Sequence, residues 1–247
     1  MKFVAVNLCL ALVLSAGNAI VVPVAQAQVS DASADTAVDI AMAYLKENKL
    51  FSLLMRTEPG FEAEARAEFR RIATSVPADK VQSEAQAYGT KVVLLLIEKY
   101  TIKSSDAAIE GFLQQNLKMA IGLKDRPADC VAYVMGTGKI SLEIMTPAII
   151  EAETEIKYQL LESALTRPAA FTPMAISDLL ALVEKRYAAI GGDISNLTLL
   201  DQATSLPPAQ GCQVVTQFSQ MLTAGTPTEN ATLYRNFLYL SKQSQAQ

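Results

Sequence analysis

The chain of 247 residues contains no histidine, no tryptophan and only three cysteines. The missing imidazole excludes most: serine and cysteine hydrolase triads lose their base, and most zinc and haem sites lose their usual nitrogen ligand. Carboxylate, lysine or tyrosine chemistry remains, or none. No Ser-x-x-Lys element supplies a lysine-activated serine,. Gly136-Thr137-Gly138 is too short to cradle phosphate, and Gly191-Gly192 reads as a helix stop,. No run of Lys or Arg alternates with aromatics, so nucleic acid is not an expected partner,.

What the chain does have begins with an apolar leader. Met1-Lys2 is followed by an uncharged run that reaches Asp31. We read residues 1–27 as a cleaved signal peptide, because Ala25-Gln26-Ala27 places small residues where a signal peptidase reads them. A cut after Ala19 is the alternative. A retained anchor is disfavoured, since Asn7, Asn18 and Pro23 interrupt the run and no positive cluster follows it, so stable membrane insertion after cleavage is not expected,. Cys9 sits mid-run, without the setting of a lipoprotein cysteine. The style of the leader points to a Gram-negative periplasm, with eukaryotic secretion as the lesser reading. In the latter case Asn196-Leu-Thr198 and Asn230-Ala-Thr232 would be glycosylation sequons,.

Cleavage leaves residues 28–247, and the net charge moves from −4 to −5 because Lys2 is the only charge removed. A single helical domain is expected over 28–247, with two subdomains meeting near 136–146 as a variant. In an oxidising compartment Cys130 and Cys212, 82 positions apart, are expected to pair,. The chain-entropy model gives such a loop about 4.5 kcal/mol before strain. Neither cysteine belongs to a C-x-x-C pair, which argues against redox catalysis.

Apolar residues recur at helical spacing nearly everywhere, so the fold expected is all-α, a compact bundle of about eight to ten helices. Val38, Ala41, Met42 and Leu45 mark the first helix; Phe61, Ala65, Phe69, Ile72 and Ala73 mark the second. The run VVLLLI at 92–97 is apolar all round and reads as a buried central helix, with a buried strand as the rival. KISLEIM at 139–145 is read as loop or a helical turn, since a lone strand has no partner. Thr146-Pro147, Thr172-Pro173 and Thr226-Pro227 each place a capping hydroxyl before a proline, so each is expected to open a helix. Glu229 completes a capping box at the third. A weak two-fold pseudo-repeat links LLLIEK at 94–99 with LALVEK at 180–185, and chance accounts for it as well as duplication does,.

Glu143, Glu151, Glu153, Glu155 and Glu162 form the richest acidic cluster, and Glu151 and Glu155 share a helical face,. Without the histidine of a Glu-x-x-His dimetal motif we read it as a solvated face and expect no metal or other cofactor. The inward residues of that helix are expected to be Ile149, Ala152, Ile156, Leu160 and Ala164. Asp193-Ile-Ser195-Asn196 has calcium-like oxygens but reads better as a helix cap. Glu162-Ser163 shares two residues with the start of the lytic transglycosylase motif, but the downstream Gly-Leu-Met-Gln-like segment is missing, so no family is assigned. Glu162 is the glutamate to test as a general acid. The tail LYRNFLYL at 233–240 is apolar on both faces: either a core helix that packs last, or a partner surface anchored by Tyr234 or Tyr239.

Three functions follow, in order of preference. The first is an exported, non-enzymatic protein acting through protein–protein contacts, as an inhibitor or immunity protein, an assembly factor or a chaperone. The second is a helical small-ligand binder. The third is a carboxylate-dependent hydrolase of envelope polymers.

Overall fold

A computed structural model describes residues 31–136 and 141–245. The leader read at 1–27 and part of the segment 136–146 fall outside these. Ten α-helices and no strand occur among the described residues: α1 Asp31–Glu47, α2 Lys49–Thr57, α3 Phe61–Ser75, α4 Val81–Tyr100, α5 Asp106–Gly122, α6 Pro127–Met135, α7 Pro147–Thr166, α8 Ile176–Ala189, α9 Pro208–Leu222 and α10 Pro227–Gln245. Short 3-10 segments lie at 78–80, 101–103, 142–144 and 194–202. The all-α expectation holds. The chain divides into two compact units at Leu95/Leu96.

The first unit follows its hydrophobic spacing, except that Ala73 of the α3 stripe is only half-buried. Ala34, Val38, Ala41, Met42 and Leu45 of α1 are buried, as are Phe61, Ala65, Phe69 and Ile72 of α3. Asn48 caps α2, its side-chain oxygen accepting from the amides of Leu50 (3.0 Å) and Phe51 (3.4 Å),. Along the α1/α3 seam Arg70 meets Asp35 (3.2 Å), Arg66 meets Asp39 (2.8 Å) and Lys46 meets Glu62 (2.9 Å), an antiparallel register written in exposed charge. Such pairs orient helices more than they stabilise them.

The second unit is centred on α5, which packs against α6, α7, α9 and α10. Ile109, Phe112, Leu113 and Ala120 are buried, whereas Ile121 is 48% exposed. The apolar run in α4 is helical, but it is not a core helix on all sides: Val93 and Ile97 are buried while Leu95 is 54% exposed. The segment 142–144 is a 3-10 turn, consistent with the loop reading of KISLEIM, whose first two residues lie outside the described ones.

Helix ends follow local chemistry in two of the three Thr-Pro sites. Thr146 accepts from the Ile149 amide (3.4 Å). Thr226 and Glu229 form the capping box, the Thr226 amide donating to Glu229 (2.9 Å) and the Glu229 amide to Thr226 (3.4 Å). The third expectation fails. After Thr172-Pro173 the backbone stays non-helical until Ile176, with Ala175 as an uncapped start. A residue before proline is pushed towards extended backbone, and here a distant side chain takes the local amide: Met174 N–H donates to Asn236 Oδ1 (2.8 Å).

Buried Arg186 closes the other end of this region. Its guanidinium donates to the carbonyls of Met221 (3.3 Å) and Leu222 (3.2 Å) at the end of α9 and to Asn230 Oδ1 (2.7 Å). It thus satisfies helix-terminal carbonyls and complements the dipole. Gly225 is required by this approach, since a Cβ there would run into the Arg186 guanidinium.

Candidate functional site

Cys130 and Cys212 are joined, with Cα atoms 5.5 Å apart, tying α6 to α9 in the core of the second unit. Both residues are buried. Beside them Gly211 allows close approach, for a Cβ there would strike the Ala203 carbonyl and Val131. The bond is structural, because no thiol partner can reach a disulfide enclosed in this way.

The two tyrosines named in the tail separate. Tyr234 is 1% exposed, its ring 5.7 Å from that of Phe112 on α5, and belongs to the core. Burial pushes its phenol well above the ordinary value. Tyr239 lies near the surface, with its ring 6.0 Å from Phe171 and its hydroxyl accepting from Gln243 (2.6 Å). Of the two, Tyr239 alone keeps part of its surface exposed.

The acidic cluster also divides. Glu151 is exposed, Glu155 half-buried, and Glu153 only 1% exposed. The inward face of α7 is Glu153, Lys157, Leu160, Leu161 and Ala164, so Ile149, Ala152 and Ile156 sit at its margin rather than in the core. Reading Glu153 as solvated is corrected. Its carboxylate accepts from the Tyr133 hydroxyl and from Gln115 Nε2 (3.2 Å), and Lys157 Nζ stands 3.3 Å away. Burial pulls Lys157 below its ordinary value against the opposing pull of Glu153, and burial followed by Glu153 drives Tyr133 far up. Such a network fixes the relative placement of α5, α6 and α7, and removing one member would leave a charge buried alone. Sequence alone held one signal for it, the i, i+4 spacing of Glu153 and Lys157. The same spacing is what an exposed helical pair shows.

Glu162 is half-buried and accepts from the Tyr158 hydroxyl one turn earlier (2.6 Å). Of the two sequons, the one at Asn230 is closed by the fold and the one at Asn196 is half-buried. Asn230 is fully buried, held by Arg186 and Glu110, and Asn196 donates to Gln217 (2.5 Å). Asp193 caps a 3-10 segment by accepting from the Ser195 amide (2.8 Å), in line with the cap reading.

Two surface features carry the remaining chemistry. In the first unit a groove of about 450 Å³ runs between α3 and α4, lined by Glu64, Glu68, Arg71, Glu84, Tyr88 and Lys91. Arg71 is held by Glu68 (2.7 Å) and Glu84 (3.8 Å). The Tyr88 hydroxyl is buried without a hydrogen-bond partner among the described residues, and burial, then Glu64 and Glu68, push it up to about 12. A phenol so placed stays protonated and supplies no nucleophile at neutral pH.

The second feature is not legible in the sequence, where Thr172-Pro173 reads as a helix start. Residues 167–175 run as a non-helical strap over the second unit. Ala169 N–H donates to the Lys103 carbonyl (2.8 Å), Phe171 packs on Tyr239, and Met174 N–H is held by Asn236. Pro168, Ala170, Thr172 and Pro173 are exposed while Ala169, Phe171 and Met174 are half-buried. Across 168–172 this is the two-residue alternation of an extended chain.

No group of three or more acidic or cysteine side chains able to hold a metal ion occurs among the described residues, and no described helix is long and apolar enough to cross a membrane. Comparison with protein-family models, curated proteins and solved structures gives no match.

Proposed function

We propose that the protein is exported to the periplasm, or secreted, and acts without catalysis by binding another protein. The observation that carries this reading is the strap at 167–175 with Tyr239 beneath it: an exposed, anchored segment joined to an aromatic pair that reaches the surface. Tyrosine at such a place gives a rigid contact with an apolar body and a polar tip. The Cys130–Cys212 bond supports export, since disulfides of this kind persist outside the cytoplasm,. Glu153, the most buried glutamate named above, spends its oxygens on Tyr133, Gln115 and Lys157, which favours a scaffold role over acid catalysis.

Affinity capture with the oxidised protein from envelope extract tests this reading. A stoichiometric protein partner, lost when the bait carries Tyr239→Ala, is the expected result. Cleavage of an envelope polymer abolished by Glu162→Gln would overturn it in favour of the hydrolase. The small-ligand alternative draws on the α3/α4 groove, whose 450 Å³ falls in the range of ligand sites,. The charged side chains of Glu64, Glu68, Arg71, Glu84 and Lys91 in its lining suit a charged rather than an apolar molecule.

A further inference from the structure

In a chain whose regular structure is helical, the strap is where the backbone is displayed rather than consumed. Ala170, Phe171 and Thr172 make no hydrogen bond to any described residue, while the flanking Ala169 and Met174 amides are both engaged. In extended backbone successive N–H groups point to opposite edges. Ala169 turns its N–H to Lys103, so Ala170 and Thr172 turn theirs, with their carbonyls, to the opposite edge. The outward side chains on this stretch are small, which lets another chain approach closely. Pro168 and Pro173 limit the run to four residues, short enough to resist indiscriminate edge pairing yet long enough for a short ladder. One end of the strap is basic. Lys103 and Arg167 are both exposed, and neither has an ion pair among the described residues.

We infer that the strap is a recognition edge for an extended segment of a partner protein, which pairs with the backbone of Ala170 and Thr172 and sets a carboxylate against Lys103 and Arg167. This rests on the protein-binding reading above and names the form the partner takes. Main-chain pairing supplies affinity in such complexes, and side chains flanking the ladder supply selectivity. Tyr239 and Phe171 hold the strap from below, so the edge is presented already extended and little ordering accompanies binding. A helical partner is disfavoured, because its backbone groups are already paired and cannot satisfy the free amides.

The test selects a phage-displayed library of random linear peptides on the oxidised full-length protein and measures the enriched peptides against variants. Ala170→Pro and Thr172→Pro each remove one amide from the edge and should weaken binding about five- to tenfold, as for one lost hydrogen bond. Ala170→Ser keeps both the amide and a small side chain and should retain binding. Lys103→Gln with Arg167→Gln should weaken binding of peptides carrying a carboxylate and flatten its salt dependence. The proline variants should melt as the parent does, since neither amide is bonded in the fold. Should either misfold, peptides N-methylated at alternate positions read the same ladder from the other side. Peptides indifferent to both prolines and to N-methylation, or no enriched peptide at all, would overturn the inference. So would self-association abolished by Ala170→Pro, which would make a second copy the occupant. If the captured protein partner binds the proline variants undiminished, the edge is refuted while the protein-binding reading stands. If peptides bind the edge but no protein is captured, the edge is supported and the broader reading fails.

Discussion

The two units handle charge in opposite ways. In the first, the ion pairs between α1 and α3 lie on the surface, and beneath them the seam is apolar, made by Val38, Met42, Leu45, Phe61, Phe69 and Ile72. In the second, Glu153, Lys157, Arg186, Arg235, Asn230 and Asn236 are all buried, and each is tied to a helix end, to another helix or, for Asn236, to the strap. Arg235, for instance, reaches Asp106 (2.7 Å) and the Ser104 carbonyl (2.5 Å), joining α10 to the start of α5. Apolar seams tolerate sliding and exchange of similar side chains. Buried charge networks do not, because each contact leaves an unsatisfied group if it slips. The second unit is therefore the more narrowly specified, and residue-resolved hydrogen exchange can follow each unit separately.

The contrast breaks most deeply at the disulfide. Cys130→Ala with Cys212→Ala should lower the stability of the second unit by about 4 kcal/mol, measured by urea unfolding, and leave protection in the first unit unchanged. An unshifted midpoint would mean the bond is a passenger. Lys157→Met strands Glu153 in the core and should cost about 3 kcal/mol, whereas adding Glu153→Leu should recover most of the loss. A double variant as unstable as the single would show that Tyr133 and Gln115, not the ion pair, are what the helices depend on. Gly225→Ala presses on Arg186 and should cost about 2 kcal/mol; a neutral result would show that Arg186 can withdraw without harm.

Acid sharpens the same contrast. Burial pushes Asp129 up, but the amide and hydroxyl of Ser141 (2.8 and 2.9 Å) and Arg126 (3.0 Å) outweigh it and leave it below the ordinary 3.8. A carboxylate depressed on folding stabilises fully above its unfolded value and loses that contribution as pH falls through the folded one. Thermal melts of the second unit should therefore decline as pH drops below 3.8, and Asp129→Asn should make that decline shallower. The smallest effect belongs to the first unit. Raising salt should lower its midpoint slightly by screening the α1/α3 pairs and leave the second unit where it was.

How far these features could be read in advance depended on whether the deciding interaction was local. The faces of α1 and α3, the capping box at Thr226 and Glu229, and the pairing of Cys130 with Cys212 all follow from spacing or compartment. The inward face of α7 did not, because turning a helix by one residue exchanges Ala152 for Glu153, and only the presence of Tyr133 and Gln115 across the way makes the glutamate the better choice. The strap was missed for a similar reason. Thr172-Pro173 is a sound helix start until Asn236, far along the chain, takes the Met174 amide. Tyr234 and Tyr239 are alike in sequence context, and it is the neighbouring α5 that sends one into the core.

The disulfide also changes how the chain answers to pulling. Cys130 and Cys212 are 82 positions apart in sequence but 5.5 Å apart in space. Stretched between its ends, the oxidised protein withholds about 280 Å of contour length, from about 3.5 Å per residue, that tension cannot draw out. That sequestered stretch runs from within α6 to within α9 and contains the whole strap. A partner tugging on either terminus would load α10 and the first unit while the recognition edge stayed inside a closed covalent ring.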